Sequence, residues 1–261
     1  MQNVRARIAY DGSRFFGWQR QEGFASVQEA LEEALSGLCR NRVVVHGSGR
    51  TDTGVHALGQ VASFHVDTRL SDERLLHALN AHLPEGVVVQ DLETCRAGFH
   101  ALRDARGKRY AYLVHTTPFR QPWGREYGHW VPLELDLDAM RRGAAELRGR
   151  HDFTSFANAG SPRASNVRTV RALHVLARRR LVAFVVEGDG FLYNMVRTLA
   201  GTLLQVGLGK LAPEVVGEIL AARDRRLAGP TAPAAGLWLV SVRYGEPCFR
   251  GARRPSGCFR P

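Results

Sequence analysis

Residues 43–66 read VVVHGSGRTDTGVHALGQVASFHV. The apolar β-branched run Val43, Val44, Val45 and the alternating stretch from Gln60 to Val66 read as two strands, with His46 to Ala57 as the loop between them. Gly47, Gly49 and Gly54 allow sharp or positive-φ turns there. Between them Arg50, Thr51 and Asp52 set a cation and a carboxylate two positions apart. A loop carried on strands is a favourable place for chemistry. Taken alone, the same residues are equally an ordinary surface turn.

Outward from the loop, strand and helix patterns alternate. Val4 to Tyr10 alternates as a strand, and Ser26-Val-Gln-Glu29 is a capping box. After it Val27, Ala30, Leu31, Ala34, Leu35 and Leu38 share one helical face. Ser71 opens a second helix with Leu75, Leu76 and Leu79 inward, and Val87 to Leu92 is a strand. Phe99-His100-Ala101 and the basic run Arg103 to Arg109 read as a hinge, after which Tyr110 opens a strand. Asp136 caps a helix through Met140, Ala144 and Leu147. Thr169 to Leu176 and Leu181 to Val186 are strands joined by Arg178-Arg179-Arg180. A long helix runs from Leu192 to Val206, Pro213 starts a short one to Ala222, and Leu237 to Val242 is the last strand. Antiparallel-type strands with helices on one face make the class α+β. The pattern predicts two such halves, 1–104 and 105–246, side by side in one broad sheet with a cleft. A basic tail, 247–261, has no periodicity and reads as mobile or partner-dependent.

The formal net charge of +11 and pI near 10.3 favour a polyanionic partner, nucleic acid first. Lys108 and Lys210 are the two lysines, so arginine carries the excess, which a GC-rich genome also produces. Cys39, Cys95, Cys248 and Cys258 form no CxxC pair and read as reduced thiols of a cytoplasmic protein. No apolar run reaches membrane-spanning length, and the strand-like N-terminus is no signal peptide. Gly49 and Gly54 have phosphate-loop spacing, but Val55-His56 stands where lysine and a hydroxyl are needed. The turn Gly188-Asp-Gly190 lacks a third glycine at Tyr193, so it is no dinucleotide fingerprint. Phe15, Phe16 and Trp18 beside two arginines pack a loop or stack on bases. Arg197 sits among Met195, Val196 and Leu199; it needs a carboxylate partner if buried, or it snorkels to the surface.

In order along the chain, GRTDTGVHALGQV, FHALRDARGKRYAYLV, HDFTSF and GFLYNMVRTLAGTLLQVG resemble the tRNA pseudouridine synthase A family (TruA). IAYDGSRFFGWQRQ and APAAGLWLVSVRY extend the resemblance over residues 4–244. It implies a pseudouridine synthase fold and isomerisation of uridine to pseudouridine at tRNA positions 38, 39 and 40 in the anticodon stem-loop. It also implies a homodimer gripping tRNA, with no cofactor and no metal. By the same resemblance Asp52 is the catalytic aspartate, Arg50 helps flip the base, Tyr110 stacks on the uracil, and Arg197 pairs with Asp52. Phe99, His100, Ala101, Leu102 and Arg103, with Gly160, Ser161, Pro162, Arg163 and Ala164, would touch RNA. The chain departs from the pattern directly after FHA, where Leu102 precedes Arg103. A carboxylate could act as nucleophile at sugar or base, or as general base. A non-catalytic RNA-binding protein would not need Asp52. A metal-dependent nuclease would need clustered carboxylates, and Asp52 has no acidic neighbour in sequence.

Overall fold

A computed structural model of the chain describes residues 1–158 and 165–249. Two compact units make it up, Met1–Arg106 together with residues 239–249, and Gly107–Trp238.

The first unit contains β1 (Gln2–Tyr10), α1 (Val27–Leu38), β2 (His46–Gly47), β3 (His56–Val66), α2 (Asp72–His82) and β4 (Val87–Thr94). β1 lies between β4 and β3, antiparallel to both, with Ala6 opposite Ala62 and Leu92. Alternation puts Val4, Ala6, Ile8 and Tyr10 on one buried face of β1. α1 starts where Ser26, in extended backbone, takes the amide of Glu29 on its hydroxyl, and it buries Val27, Leu31, Ala34 and Leu35. Ser71 caps α2 in the same way through Arg74, and Leu75 and Leu79 face inward. The opposite face of β1 is also covered: Asn3 and Arg5 are buried.

Val43 to Val45 corrects the sequence expectation. This run forms no strand; β2 is only His46–Gly47. The reason lies on α1. Gln28 Nε2 donates to the Val45 carbonyl at 3.1 Å, and Glu32 Oε1 accepts the Val45 amide at 3.0 Å. Gln28 and Glu32 are bonded to each other at 2.9 Å, and Arg20 reaches Glu32 at 2.6 Å. Buried side chains thus give Val45 the hydrogen bonds a neighbouring strand would have given.

The second unit contains β5 (Ala105–His115, from Gly107 on), β6 (His129–Trp130), α3 (Leu137–Glu146) and β7 (Gly149–Asp152). It continues with β8 (Val167–Arg178), β9 (Leu181–Gly188), α4 (Met195–Gly207) and α5 (Val215–Ala222). Strand order is β5-β9-β8-β7 by antiparallel pairing, with β6 parallel to β5. α3 and α4 bury Met140, Ala144, Leu199 and Leu203. The last strand, β10 (Leu237–Tyr244), lies beside β3 from residue 239 on. Each unit is α+β by itself.

Three boundaries differ from expectation. Tyr110 does not open its strand, because β5 already begins at Ala105 and takes in the basic run. Arg109 stands opposite Glu187 of β9 and pairs with it, so these charges fit a strand. α4 begins at Met195 rather than Leu192, because Asn194 adopts left-handed backbone at φ 59°. α5 begins at Val215, two residues past Pro213.

Candidate active site

The loop from His46 to Ala57 is held mostly through its backbone. The Ser48 amide donates to Val61 O at 2.7 Å, and the Ser48 hydroxyl to Gln60 Oε1 at 2.6 Å. Gln60, fully buried, donates back to the Gly49 carbonyl at 2.9 Å. The Thr51 carbonyl accepts the Trp18 amide at 3.0 Å, and its hydroxyl meets the Tyr10 hydroxyl at 2.7 Å. Burial pushes the Tyr10 phenol up to about 12 against the pull of its bonds to Thr51 and Gln60, so it stays neutral. His56, fully buried, accepts the Gly12 amide on Nδ1 at 3.0 Å.

Asp52 sits at the head of a turn closed by Val55 N to Asp52 O at 3.1 Å. Gly54, the third residue, takes φ 79°, which favours glycine. Gly47 serves differently: a Cβ there would meet the Trp18 ring at 2.5 Å. Asp52 is half-buried, and Arg50 is exposed with Nε donating to Gln19 at 3.1 Å. The aromatic triplet divides in two. Phe15 and Trp18 are core, whereas Phe16 is 50% exposed against Phe24.

The segment 99–103 is a tight turn in the first unit. Phe99 and Ala101 are buried and their side chains pack inward, His100 is half-buried, and Leu102 and Arg103 are exposed. The Ala101 amide donates to Ser63 at 3.0 Å, and Asp104 takes the His100 amide at 2.9 Å and Arg96 at 2.6 Å. Nδ1 of His100 accepts the amides of Leu102 at 3.2 Å and Arg103 at 3.4 Å. Its imidazole stacks on His46 at 5.0 Å. Burial lowers the His100 pKa, and Arg103 and His46 push the same way.

In the second unit, Tyr110 is 8% exposed and meets Phe191 edge-on at 5.3 Å. Arg197, in the first turn of α4, is half-buried. Its Nε donates to the Ala232 carbonyl at 2.7 Å and its Nη1 to Asn194 Oδ1 at 2.9 Å. Asn194 is therefore occupied by the arginine instead of capping the helix. The candidates Gly160, Ser161, Pro162, Arg163 and Ala164 lie outside the described residues. Among the described residues no cluster of three or more His, Cys, Asp or Glu is placed to hold a metal ion. None of the described helices is long and apolar enough to cross a membrane.

Sequence reading missed Tyr10, Gln60 and His56. Each is a polar group buried on a strand, and alternation alone marks such a position as core.

The tail expectation also needs correction at its start. Residues 247–249 are packed and bonded to the first unit, through Arg5 to the Pro247 carbonyl at 3.1 Å and Phe249 N to Glu93 at 2.6 Å. Residues 250–261 lie outside the described residues.

The family model described as tRNA pseudouridine synthase matches residues 6–101 and 144–245, and the chain belongs to that family. Relatives carrying the name tRNA pseudouridine synthase A match almost end to end. That of Acetivibrio thermocellus is 41% identical over 244 residues, 94% of this chain and 100% of the relative. That of Geobacillus kaustophilus is 45% identical over 249 residues, covering 95% and 96%. Arg50, Asp52 and Arg197 fall inside the matched segments; Leu102, Arg103 and Tyr110 fall between them.

Proposed function

We propose that this chain isomerises uridine to pseudouridine at positions 38, 39 and 40 of the anticodon stem-loop of tRNA, as a cytoplasmic homodimer needing no cofactor. One observation carries the reading: a half-buried carboxylate, Asp52, on a glycine turn braced by buried Ser48, Thr51 and Gln60, two residues after an exposed arginine. The relatives' shared name supports the tRNA substrate. The reaction breaks the N1–C1′ bond, turns the uracil, joins C5 to C1′ and returns the C5 proton to the ring. Nothing is gained or lost, so a carboxylate and a closed site suffice. Asp52 acts as nucleophile at sugar or base, or as general base. Arg50 fills the space the base vacates, which offsets an extrusion cost of a few kcal/mol. Tyr110 stacks on the ring. Arg197 keeps Asp52 ionised and aimed. The segment Phe99 to Arg103 contacts the RNA, chiefly through His100, Leu102 and Arg103, together with residues 160–164.

The test is to incubate the purified protein with an unmodified tRNA transcript, with and without EDTA, and to map pseudouridine. Product at 38–40 in both supports the reading. Binding without product leaves a non-catalytic RNA-binding protein, and EDTA-sensitive cleavage makes it a nuclease. Light scattering at a concentration where product forms tests the dimer; a monomer mass there refutes it.

A further inference from the structure

The connection from β1 to α1 folds back on itself over residues 16–25, and this loop is built onto the Asp52 turn. The Phe16 amide donates to the Ala25 carbonyl at 2.8 Å, and Gln21 and Phe24 form an isolated antiparallel bridge. The Trp18 amide donates to the Thr51 carbonyl, and Arg50 Nε donates to Gln19 of the same loop. Gly17, at φ 85°, lies so close to the turn that a Cβ there would stand 2.6 Å from the Thr51 carbonyl oxygen and 3.2 Å from the Asp52 carbonyl carbon. Phe16 is therefore one residue away from a glycine packed on the backbone of Asp52. Buried Phe15 and Trp18 fix the loop to the core.

Phe16 and Phe24 point outward instead. Their ring centroids lie 4.7 Å apart at 53°, and the two residues are 50% and 47% exposed. Among the described residues of the first unit they are the exposed large aromatics. Apolar residues scattered singly over a surface are ordinary, but two rings packed together beside a candidate catalytic turn present one continuous apolar face. A nucleobase has a flat apolar face and a polar edge. The rings meet the first need; Gln19, exposed Gln21 and exposed Arg50, on the same loop or bonded to it, meet the second. Arg20 of this loop is already paired with Glu32, so phosphate attraction is not what the rings add. A stem-loop supplies unpaired bases close to the uridine that leaves its stack.

We propose that Phe16 and Phe24 form a stacking platform for an unpaired base of the tRNA substrate, beside the uridine on which Asp52 acts. This rests on the tRNA reading above. Stacking of one base on an aromatic side chain is worth about 5- to 150-fold in affinity. The platform holds the RNA equally before and during the reaction and touches no reacting atom. It therefore lowers KM and leaves kcat alone. It neutralises no phosphate, so it leaves the salt dependence of binding unchanged.

The experiment compares the intact chain with two double variants, Phe16→Leu with Phe24→Leu and Phe16→Tyr with Phe24→Tyr. Leucine stays apolar but has no aromatic face; tyrosine keeps the ring. Binding of full-length tRNA is measured across a salt series, with pseudouridine kinetics, thermal unfolding and light scattering in parallel. The Leu pair should raise Kd and KM by roughly five-fold or more, with kcat, unfolding temperature and log–log salt slope unchanged, and the Tyr pair should restore both. Each unpaired base of the anticodon loop is then replaced in turn by an abasic site. At one position the intact chain should lose the same factor, and the Leu pair should lose nothing further. A Leu pair that binds like the intact chain overturns the proposal, as do losses that add at every position. So does a Tyr pair as weak as the Leu pair, or a fall in kcat in place of the rise in KM, since the rings then only support the loop. A changed mass with unchanged affinity makes them an interface between copies and overturns it too. Should the Leu pair not fold, Phe24→Leu alone carries the same comparisons. The failure of the enzyme reading looks different: the intact chain then makes no pseudouridine, whatever the binding series gives.

Discussion

Asp52 and Arg197 are held in opposite ways. The bonds that shape the Asp52 loop run through Ser48, Gly49, Thr51 and Gln60, and at Asp52 itself through the carbonyl that takes the Val55 amide. Arg197 is fixed by its side chain, to the Ala232 carbonyl and to Asn194, and its own carbonyl takes the Ala232 amide at 3.2 Å. A residue held by its backbone can change its chemistry and leave its loop in place. A residue held by its side chain cannot. The loop bonds at Ser48, Gly49, Thr51 and the Asp52 carbonyl therefore survive a change of the Asp52 side chain, whereas the bonds Arg197 makes to Ala232 and Asn194 do not survive its loss.

The largest expected effect follows from the first case. Asp52→Asn should fold, bind tRNA nearly as before, and lose turnover by about 10⁴-fold, the top of the range for a positioned acid–base group. Its unfolding temperature should move by no more than about 2 °C, as for a substitution within 0.5 kcal/mol. Single-turnover assays and thermal melts check both. A large loss of stability would break the contrast, and appreciable pseudouridine formation would remove Asp52 from the site.

Arg197 sharpens it from the other side. Arg197→Met removes the bonds to Ala232 and Asn194, and these two alone should cost about 1–3 kcal/mol at 0.5–1.5 kcal/mol each. That is a fall in unfolding temperature of about 2–4 °C per kcal/mol for a chain of this size. Arg197→Lys keeps the charge and one donor but loses the fork. It should fold and bind tRNA, yet turn over about 10²-fold more slowly at saturating tRNA, at the low end for a lost acid–base contribution. Unchanged turnover in the lysine variant would confine Arg197 to a structural role.

A milder change tests the brace itself. Tyr10→Phe removes the bond to the Thr51 hydroxyl and strands that group in the core, at a cost of about 1–3 kcal/mol. The expected signature is a several-fold drop in kcat with little change in tRNA affinity, because the loop shifts while the RNA contacts stay. A change in affinity alone would mean that Tyr10 braces something other than the Asp52 turn.

The sequence carried most of this fold because its helices are amphipathic and capped. Ser26, Ser71 and Asp136 cap α1, α2 and α3 as their residue types suggest. It misled where side chains replaced backbone as hydrogen-bond partners. Val43 to Val45 has the composition of a strand, but Gln28 and Glu32 take its place in a ladder. β7, Gly149–Asp152, reads GRHD and has no alternation to find. At the site, Arg50 and Asp52 stand out from their glycines. Tyr10 and Gln60 do not, since a polar residue turned inward looks like any other strand position until its partner is located. The triplet Phe15, Phe16, Trp18 shows the same limit: type and spacing are shared, and only packing separates two core rings from an exposed one.

The smallest effect concerns His100, whose turn depends on a lone pair. Nδ1 accepts the amides of Leu102 and Arg103, which requires the neutral ring with its proton on Nε2. Burial, then Arg103 and His46, lower its pKa, while Asp104, itself paired with Arg96, acts the other way. A histidine whose folded pKa lies below the unfolded value of about 6.5 stabilises the fold fully above that value. The stabilisation fades as pH falls through the folded pKa, because protonation turns the acceptor into a donor facing two amides. The amides of Leu102 and Arg103 should therefore lose hydrogen-exchange protection, corrected for intrinsic rates, as pH falls below about 6.5 and on through the folded pKa. The amide of Ala101, bonded to Ser63, should not. In His100→Gln the pH dependence should vanish, with protection low throughout. Protection that stays equal in the parent chain down an acid series to the onset of global unfolding would show that Nδ1 is not what holds this turn, and His100 would then be free to serve RNA contact in either charge state.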